Sequence, residues 1–186
     1  MKNRPTTQEL KEELERVNQK EEQQNLVKKV CVGLICIAAL TVLISYLFMP
    51  VFRVYGHSME PTLYSGGIVA SIKKHTYKKQ DVVAFYYNNS ILVKRIIACP
   101  GDWVKMDKEG NVYVNDKKLK EDYVQNRSLG NCTITFPYQV PENRYFVLGD
   151  NRKVSKDSRN RLIGCISEKQ IVGKLFLNVW PPRLIE

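Results

Sequence analysis

The stretch ILVKRIIAC, residues 91 to 99, is a strongly apolar run that encloses two adjacent positive charges. Its isoleucine and valine content favours a β-strand, because β-branched side chains pack well on a pleated surface. Successive side chains of a strand point to opposite faces, so Lys94 and Arg95 should project in opposite directions. We therefore expect a strand in which one of these two charges faces the protein interior.

Six further runs of this kind lie on either side of that stretch. They are rich in Val, Ile, Tyr and Phe, and Gly, Pro and Asn residues separate them, as turns separate strands. The runs are Gly67 to Ile72, Asp81 to Tyr87, Trp103 to Met106, Asn111 to Asn115, Tyr145 to Leu148 and Ile171 to Val179. The sequence thus predicts a mostly β protein, with an all-β domain over residues 53–186.

The sequence before this domain is of a different kind. Residues 30–52 are 23 residues without a charge. At about 1.5 Å per residue, a helix of that length crosses a hydrocarbon core of about 30 Å. The run ends in Tyr46-Leu47-Phe48-Met49-Pro50, whereas a cleavable secretory signal ends in small residues. We therefore predict a single transmembrane anchor that stays on the protein.

The charges on either side of the anchor predict its orientation. Residues 1–29 form a highly charged tail in which we expect a short amphipathic helix. Within twenty residues after the span only Arg53 is basic, whereas four basic residues closely precede it: Arg16, Lys20, Lys28 and Lys29. By the positive-inside rule the tail is cytoplasmic and the β domain lies outside.

The net charge limits the partners without choosing among them. The chain has 29 Lys and Arg against 19 Asp and Glu, a net charge of +10, and residues 1–29 contribute only +1 of it. A basic β domain suits nucleic acid, anionic lipid headgroups or an anionic cell wall.

The five cysteines predict neither a metal site nor a redox motif. None forms a Cys-x-x-Cys pair, and outside the anchor only Cys99, Cys132 and Cys165 remain. A bridge between Cys132 and Cys165 and three unpaired thiols are both compatible with this count. The apolar neighbours of Cys99 favour a buried structural cysteine.

The stretch GHSMEPTL, residues 56 to 63, offers a candidate nucleophile. Gly56, two residues before Ser58, permits a tight turn, but a serine hydroxyl needs a neighbouring base before it can attack a carbonyl. His57 is adjacent in sequence and should point the other way, and His75 lies in a lysine-rich turn. A Ser-His-Asp triad is therefore disfavoured, which leaves the Ser/Lys variant.

Lys94 is the candidate base, since it is the lysine embedded in an apolar β run. Burial without a counter-ion favours the neutral amine, which can accept a proton. The alternative is that Lys94 lies on an exposed sheet face while Arg95 pairs with a carboxylate.

Four stretches in order carry a family resemblance: GHSMEPTL at 56 to 63, DVVAF at 81 to 85, VKRIIACPGD at 93 to 102 and YFVLGDNRKVSKDSR at 145 to 159. With the anchor, they resemble the type I signal peptidases, especially the compact Gram-positive kind. Two departures from the family pattern, at Ala98-Cys99 and Gln80, leave the candidate dyad unaffected.

The resemblance implies a role for each site residue. Ser58 would be the nucleophile and Lys94 the general base, Ser155 would support the lysine amine, and Asp157 with Arg159 would form an ion pair that braces the site. Some members add a hydroxyl to the oxyanion hole two residues before the nucleophile. That position is Gly56 here, so the backbone N–H of Ser58 would hold the oxyanion.

The resemblance also implies the reaction and its setting. The protein would remove signal peptides from secretory preproteins at the outer face of the bacterial plasma membrane, through an acyl-enzyme and without a metal or another cofactor. The family cleaves after small residues at the first and third positions before the bond. Shallow pockets for these are expected from Met59, Leu63, Leu92 and Val93. Membrane lipids would be the other partner, and nucleic acid is not expected.

Two other functions compete with this one. A self-cleaving repressor with a Ser/Lys domain would need a helix-turn-helix and a soluble linker, but the transmembrane span occupies that place. An inactive, membrane-anchored β module could bind anionic polymers. The intact set of Ser58, Lys94, Ser155 and Asp157 argues against that loss of activity.

Overall fold

The computed structural model describes residues 7–185, so the first six residues of the predicted tail lie outside it. The chain divides into two compact units, Met1–Leu47 and Phe48–Glu186. The first unit is one α-helix, α1, Thr7–Phe48. Its segment Lys11–Leu43 is long and apolar enough to cross a membrane, with a mean hydropathy of 2.3 in its most apolar window. Residues 7–29 of the charged tail and the anchor thus form one continuous helix. The sequence had led us to expect a separate short helix in the tail.

The helix ends four residues before the end of the predicted span. Pro50 has no N–H to donate and disfavours helical backbone in the residue before it. The next residues, Val51–Arg53, form the first strand, β1. The apolar residues 49–52 therefore belong to the start of the β unit and not to the helix.

The second unit is built of strands, as predicted. The seven predicted strands are present, each with ends within one residue of the prediction. After β1 the strands are β2 Ile68–Ile72, β3 Val82–Tyr87, β4 Ser90–Ala98, β5 Trp103–Met106, β6 Val112–Val114, β7 Lys117–Lys118, β8 Tyr138–Gln139, β9 Arg144–Leu148, β10 Ile166–Ser167, β11 Ile171–Trp180 and β12 Arg183–Leu184. The five that the sequence did not predict have two or three residues each, too few to show a period of two.

The strands form two antiparallel sheets. The larger has the order β1-β2-β11-β3-β4-β9-β10, with β12 on β11, and the smaller has the order β7-β6-β5-β8. Apolar side chains cover β3 on both faces, because Val82 and Ala84 lie in one core cluster and Val83 and Phe85 in another. A third cluster joins the two sheets through residues such as Val104 and Phe146.

The pairing of β4 leaves part of one edge open. From Ser90 to Arg95, β4 pairs with β3, and Lys94 lies opposite Val83. On the other side β9 pairs only with the second half of β4, beginning at Arg95. Within the described chain, residues 90–93 therefore keep an edge without a strand partner.

Candidate active site

Ser58 and Lys94 lie together although 36 residues separate them in the sequence. The Nζ of Lys94 is 2.7 Å from the Oγ of Ser58 and donates a second hydrogen bond, of 2.9 Å, to the carbonyl of Val93. Strand β4 places the amine. A turn that begins at Gly56, whose φ is +88°, places the hydroxyl. Met59 and Leu63, each at most 2% exposed, fix this turn in the core.

Lys94 is buried, with 3% of its surface exposed. Burial lowers the pKa of its amine from the usual value near 10.5 to about 8, against the opposing effect of the Asp157 and Asp150 carboxylates. A substantial neutral fraction therefore exists near neutral pH. The arrangement of hydroxyl and amine can activate a serine for attack on a carbonyl.

Neither histidine takes the position of a base for Ser58. The Nδ1 of His57 lies 2.7 Å from the carboxylate of Glu60, and the His57 side chain is 69% exposed. His75 is exposed in the loop after β2. Within residues 7–185 neither ring makes a hydrogen bond to the Ser58 hydroxyl.

Arg95 corrects the expectation that only one of the two adjacent charges faces inward, since both are buried. Its guanidinium binds the Asp150 carboxylate through two hydrogen bonds, of 3.0 and 2.9 Å, and lies 4.0 Å from the ring centroid of Tyr123. Both faces of the sheet are covered here, so each direction along β4 leads into the protein. Arg95 thus pairs with a carboxylate, as the alternative interpretation of this strand proposed. Lys94, however, is buried and does not lie on an exposed face as that interpretation required.

Asp157 and Arg159 form the ion pair that the resemblance implied. The two groups are fully buried and share two hydrogen bonds of 2.8 Å. The carboxylate also accepts the N–H of Gly149, and the guanidinium donates to the carbonyls of Leu129 and Arg152. The pair therefore joins the end of β9 to two loops beside the site.

Sequence reasoning missed a second buried pair in this region. Arg152 binds Glu121 through contacts of 2.6 and 3.2 Å, and its Nε donates to the carbonyl of Gly149. Asp150, which holds Arg95, was also missed. Asp150 lies in the last of the four stretches that carry the family resemblance, and this position could have pointed to it. Glu121 lies in a polar stretch outside all four, where no pattern marked it.

Ser155 does not make the contact that was expected of it. Its hydroxyl is buried and forms no hydrogen bond within the described chain, so the second acceptor for Lys94 is the Val93 carbonyl. Its Oγ lies against Gly149, where a side chain would collide with it.

The backbone at Ser58 is available for an oxyanion. Its carbonyl accepts the N–H of Asn151 at 3.0 Å, but within residues 7–185 its own N–H donates no hydrogen bond. The N–H of Gly56 faces the Ser65 hydroxyl at 3.3 Å. Within residues 7–185 the Ser58 N–H is therefore a backbone donor without a partner, next to its own Oγ.

A groove of about 640 Å³ runs past the serine and lysine. We refer to it as the anchor-side groove because its lining residues 51–56 follow the anchor in the sequence. Residues 51–56 form one wall, and residues 90–93 of β4 form the other. Three of the four predicted pocket residues line it, namely Met59, Leu92 and Val93. Leu63 does not line it, because its side chain is 1% exposed within the core beneath.

The cysteines lie outside the site. All five are free, so the structure contains no bridge between Cys132 and Cys165. Cys99 is partly buried, and burial raises the pKa of its thiol. Cys165 is buried, which raises its pKa to about 11. Among residues 7–185 no group of three or more His, Cys, Asp or Glu could hold a metal ion.

A serine hydroxyl within hydrogen-bond distance of a buried amine, in a mostly β unit, fits a serine peptidase. A family model described as "Signal peptidase, peptidase S26" matches residues 23–180. The chain belongs to this family, and it is a membrane-anchored peptidase that acts on preproteins with signal peptides.

Individual relatives agree with the family. The chain is 39% identical to Signal peptidase IB of Staphylococcus aureus over 150 residues, covering 70% of this chain and 77% of that protein. It is 35% identical to Signal peptidase I P of Bacillus subtilis subsp. natto over 176 residues, covering 88% and 94%. A crystal structure of a signal peptidase I from Enterococcus faecalis is 30% identical, with a TM-score of 0.45, and covers 55% of this chain and 99% of that one.

Proposed function

We propose that this signal peptidase cleaves preproteins through a Ser58/Lys94 dyad and an acyl-enzyme. The observation that carries the proposal is the 2.7 Å contact between the Ser58 Oγ and an amine whose burial favours its neutral form. The structure suits acyl transfer, because nucleophile, base and a free backbone donor lie side by side.

In the first half of the reaction, Ser58 Oγ attacks the scissile carbonyl carbon while neutral Lys94 takes the hydroxyl proton. The Ser58 N–H donates to the developing oxyanion. As the C–N bond breaks, Lys94 returns the proton to the leaving nitrogen, and an ester to Ser58 remains. In the second half, a water molecule attacks this ester, its proton passes to Lys94 and then to Ser58 Oγ, and the signal peptide is released.

The anchor-side groove suits the part of the substrate before the scissile bond. The outer edge of β1 and the edge of residues 90–93 have no strand partner within the described chain, so an extended peptide can add between them as a strand. Met59, Leu92 and Val93 would then bound the pockets for small residues at the first and third positions before the bond.

In this proposal the reaction takes place close to the membrane on its outer side, and the tail lies in the cytoplasm. Nine residues lie between the end of α1 at Phe48 and Ser58. Even fully extended, a link of this length spans only about 35 Å. A preprotein presents its cleavage site at that level, just beyond its own apolar segment. Membrane lipids are the second partner in this proposal.

The test is cleavage of a preprotein with an Ala-x-Ala site by the detergent-solubilised chain, with sequencing of the new N-terminus. Ser58→Ala and Lys94→Ala should each reduce turnover to background without loss of the fold. Lys94→Arg should fail too, because a guanidinium stays protonated and cannot accept the hydroxyl proton.

The matched control is His57→Ala, which removes the neighbouring exposed base and should leave turnover close to wild type. Near-normal turnover in Ser58→Ala or in Lys94→Ala would contradict the proposed dyad. An inactive wild-type chain with the same substrate would favour the inactive β module.

A further inference from the structure

A second cavity, of about 420 Å³, opens at the other side of Ser58 and Lys94. It shares Ser58, Ser90, Leu92 and Lys94 with the anchor-side groove, but residues 51–56 take no part in its lining. Its own walls come from the β3–β4 turn and from the loop after β9: Tyr87, Asn88, Val154, Lys156 and Ile163. We refer to it as the exit cavity.

The two openings correspond to the two halves of a substrate. A peptide with its scissile carbonyl at the Ser58 Oγ must extend in both directions. Because the anchor-side groove takes the half before the bond, the exit cavity takes the first residues after it. This assignment rests on the proposed function.

The exit cavity has a positive charge and no negative one among its described lining residues. Lys94 is neutral in the form that acts as base, so Lys156 is the charge that a bound peptide meets there. The Lys156 side chain is exposed, and its field is therefore partly screened by solvent.

The backbone that carries Lys156 is held on both sides. Ser155 and Asp157 are 3% and 1% exposed, and Asp157 is locked in its ion pair with Arg159. The N–H of Ser155 also donates to the carbonyl of Asn151 at 3.1 Å. The ammonium of Lys156 therefore extends from a fixed point at the edge of the exit cavity.

We propose that Lys156 determines specificity for the first residues of the mature protein. It favours substrates with an acidic side chain at the first or second position after the cleaved bond, and it disfavours basic ones there. The contact is electrostatic and partly exposed, so the preference is modest and weakens with salt.

The experiment measures kcat/KM of the full-length chain in detergent on three peptides that differ only at the second position after the bond, with Asp, Asn or Lys. We expect the wild type to prefer Asp over Lys by about three-fold or more at low salt. Lys156→Gln should bring the Asp/Lys ratio to about one, and Lys156→Glu should invert it.

Lys153→Glu is the matched control, because it changes the net charge as much as Lys156→Glu does. Lys153 is exposed in the same loop but does not line the exit cavity. This variant should keep the wild-type ratio. The role of Lys156 would be overturned if the wild type showed no preference between the Asp and Lys peptides, or if Lys153→Glu shifted their ratio as much as Lys156→Glu. Failure of the proposed dyad would give a different result. The wild type would then not cleave the Asn peptide, or Ser58→Ala would still cleave it.

Discussion

The chemistry of Lys94 depends on where its amine lies. A solvated lysine with a pKa of about 10.4 is neutral in less than about one part in a thousand at pH 7, whereas a pKa of about 8 makes about a tenth of it neutral. Strand β4 lowers the pKa by burial. The nearest carboxylates, Asp157 and Asp150, are held by Arg159 and Arg95, which limits how far they restore the charge.

The first prediction is that activity rises with pH through a limb with an apparent pKa of about 8. The sign follows from the role of base: Lys94 acts when deprotonated, and deprotonation becomes more complete as pH rises. The measurement is kcat/KM from pH 6 to 10 on a peptide without titrating groups.

The control for this profile is His57→Ala, in which the basic limb should stay unchanged. A profile that is flat above pH 6 would contradict a lysine base. So would a limb near pH 6.5 that disappears in His57→Ala.

At the scale of elements, the end of β9 is where the site is assembled. Gly149 follows this strand directly and lies against Ser155, and its N–H and carbonyl are bound by Asp157 and Arg152. Three buried ion pairs hold the following loop in place, namely Arg95–Asp150, Arg152–Glu121 and Arg159–Asp157.

The second prediction concerns Gly149→Ala. A Cβ at this position would come within 2.5 Å of the Ser58 carbonyl oxygen and would also collide with Ser155. We expect it to displace the Ser58 turn, reduce kcat strongly and lower the free energy of unfolding by about 1–3 kcal/mol.

Gly33→Ala is the control, because open space surrounds Gly33 in α1. It should leave both quantities near wild type. Wild-type activity in Gly149→Ala would show that the loop adapts and that the close packing is not needed for the site.

The third prediction compares two carboxylate removals. Asp157→Ala leaves the buried Arg159 guanidinium without its charge partner, so the free energy of unfolding should fall by about 3–5 kcal/mol. Asp122→Ala removes a carboxylate from an exposed pair with Lys120 and should be indistinguishable from wild type. Urea unfolding followed by tryptophan fluorescence measures both, and equal losses would contradict a bracing role for the buried pair.

At the scale of the whole molecule, one apolar helix and a basic β unit divide the work between anchoring and hydrolysis. In the proposed function, the anchor keeps the peptidase near the bilayer, where preproteins present their cleavage sites. The charge of the β unit suits anionic lipid headgroups on that surface.

The fourth prediction tests the orientation. A protease added outside intact spheroplasts should digest residues 53–186 and spare the N-terminal tail, because the basic residues before the span keep the tail in the cytoplasm. Tags at the two termini, detected by immunoblot, report which part survives, and lysed spheroplasts control for intrinsic protease resistance. Protection of the β unit in intact spheroplasts would reverse the topology.

The sequence by itself determined the class of this protein. Local composition and residue order can be read without coordinates. They reveal a charge-free run long enough to span a membrane, β-branched runs between turn residues, and four stretches in family order. Seven of the strands were predicted for this reason, and so were Ser58 and Lys94 as candidate site residues.

Only the tertiary structure decided which groups meet. The burial of both Lys94 and Arg95 depends on layers from distant segments that cover both faces of β4, and the Glu121–Arg152 pair joins residues 31 positions apart. The place of Leu63 in the core and the missing Ser155 contact were set the same way. Local patterns record what a residue can do, whereas the free energy of packing and desolvation between distant segments decides what it does.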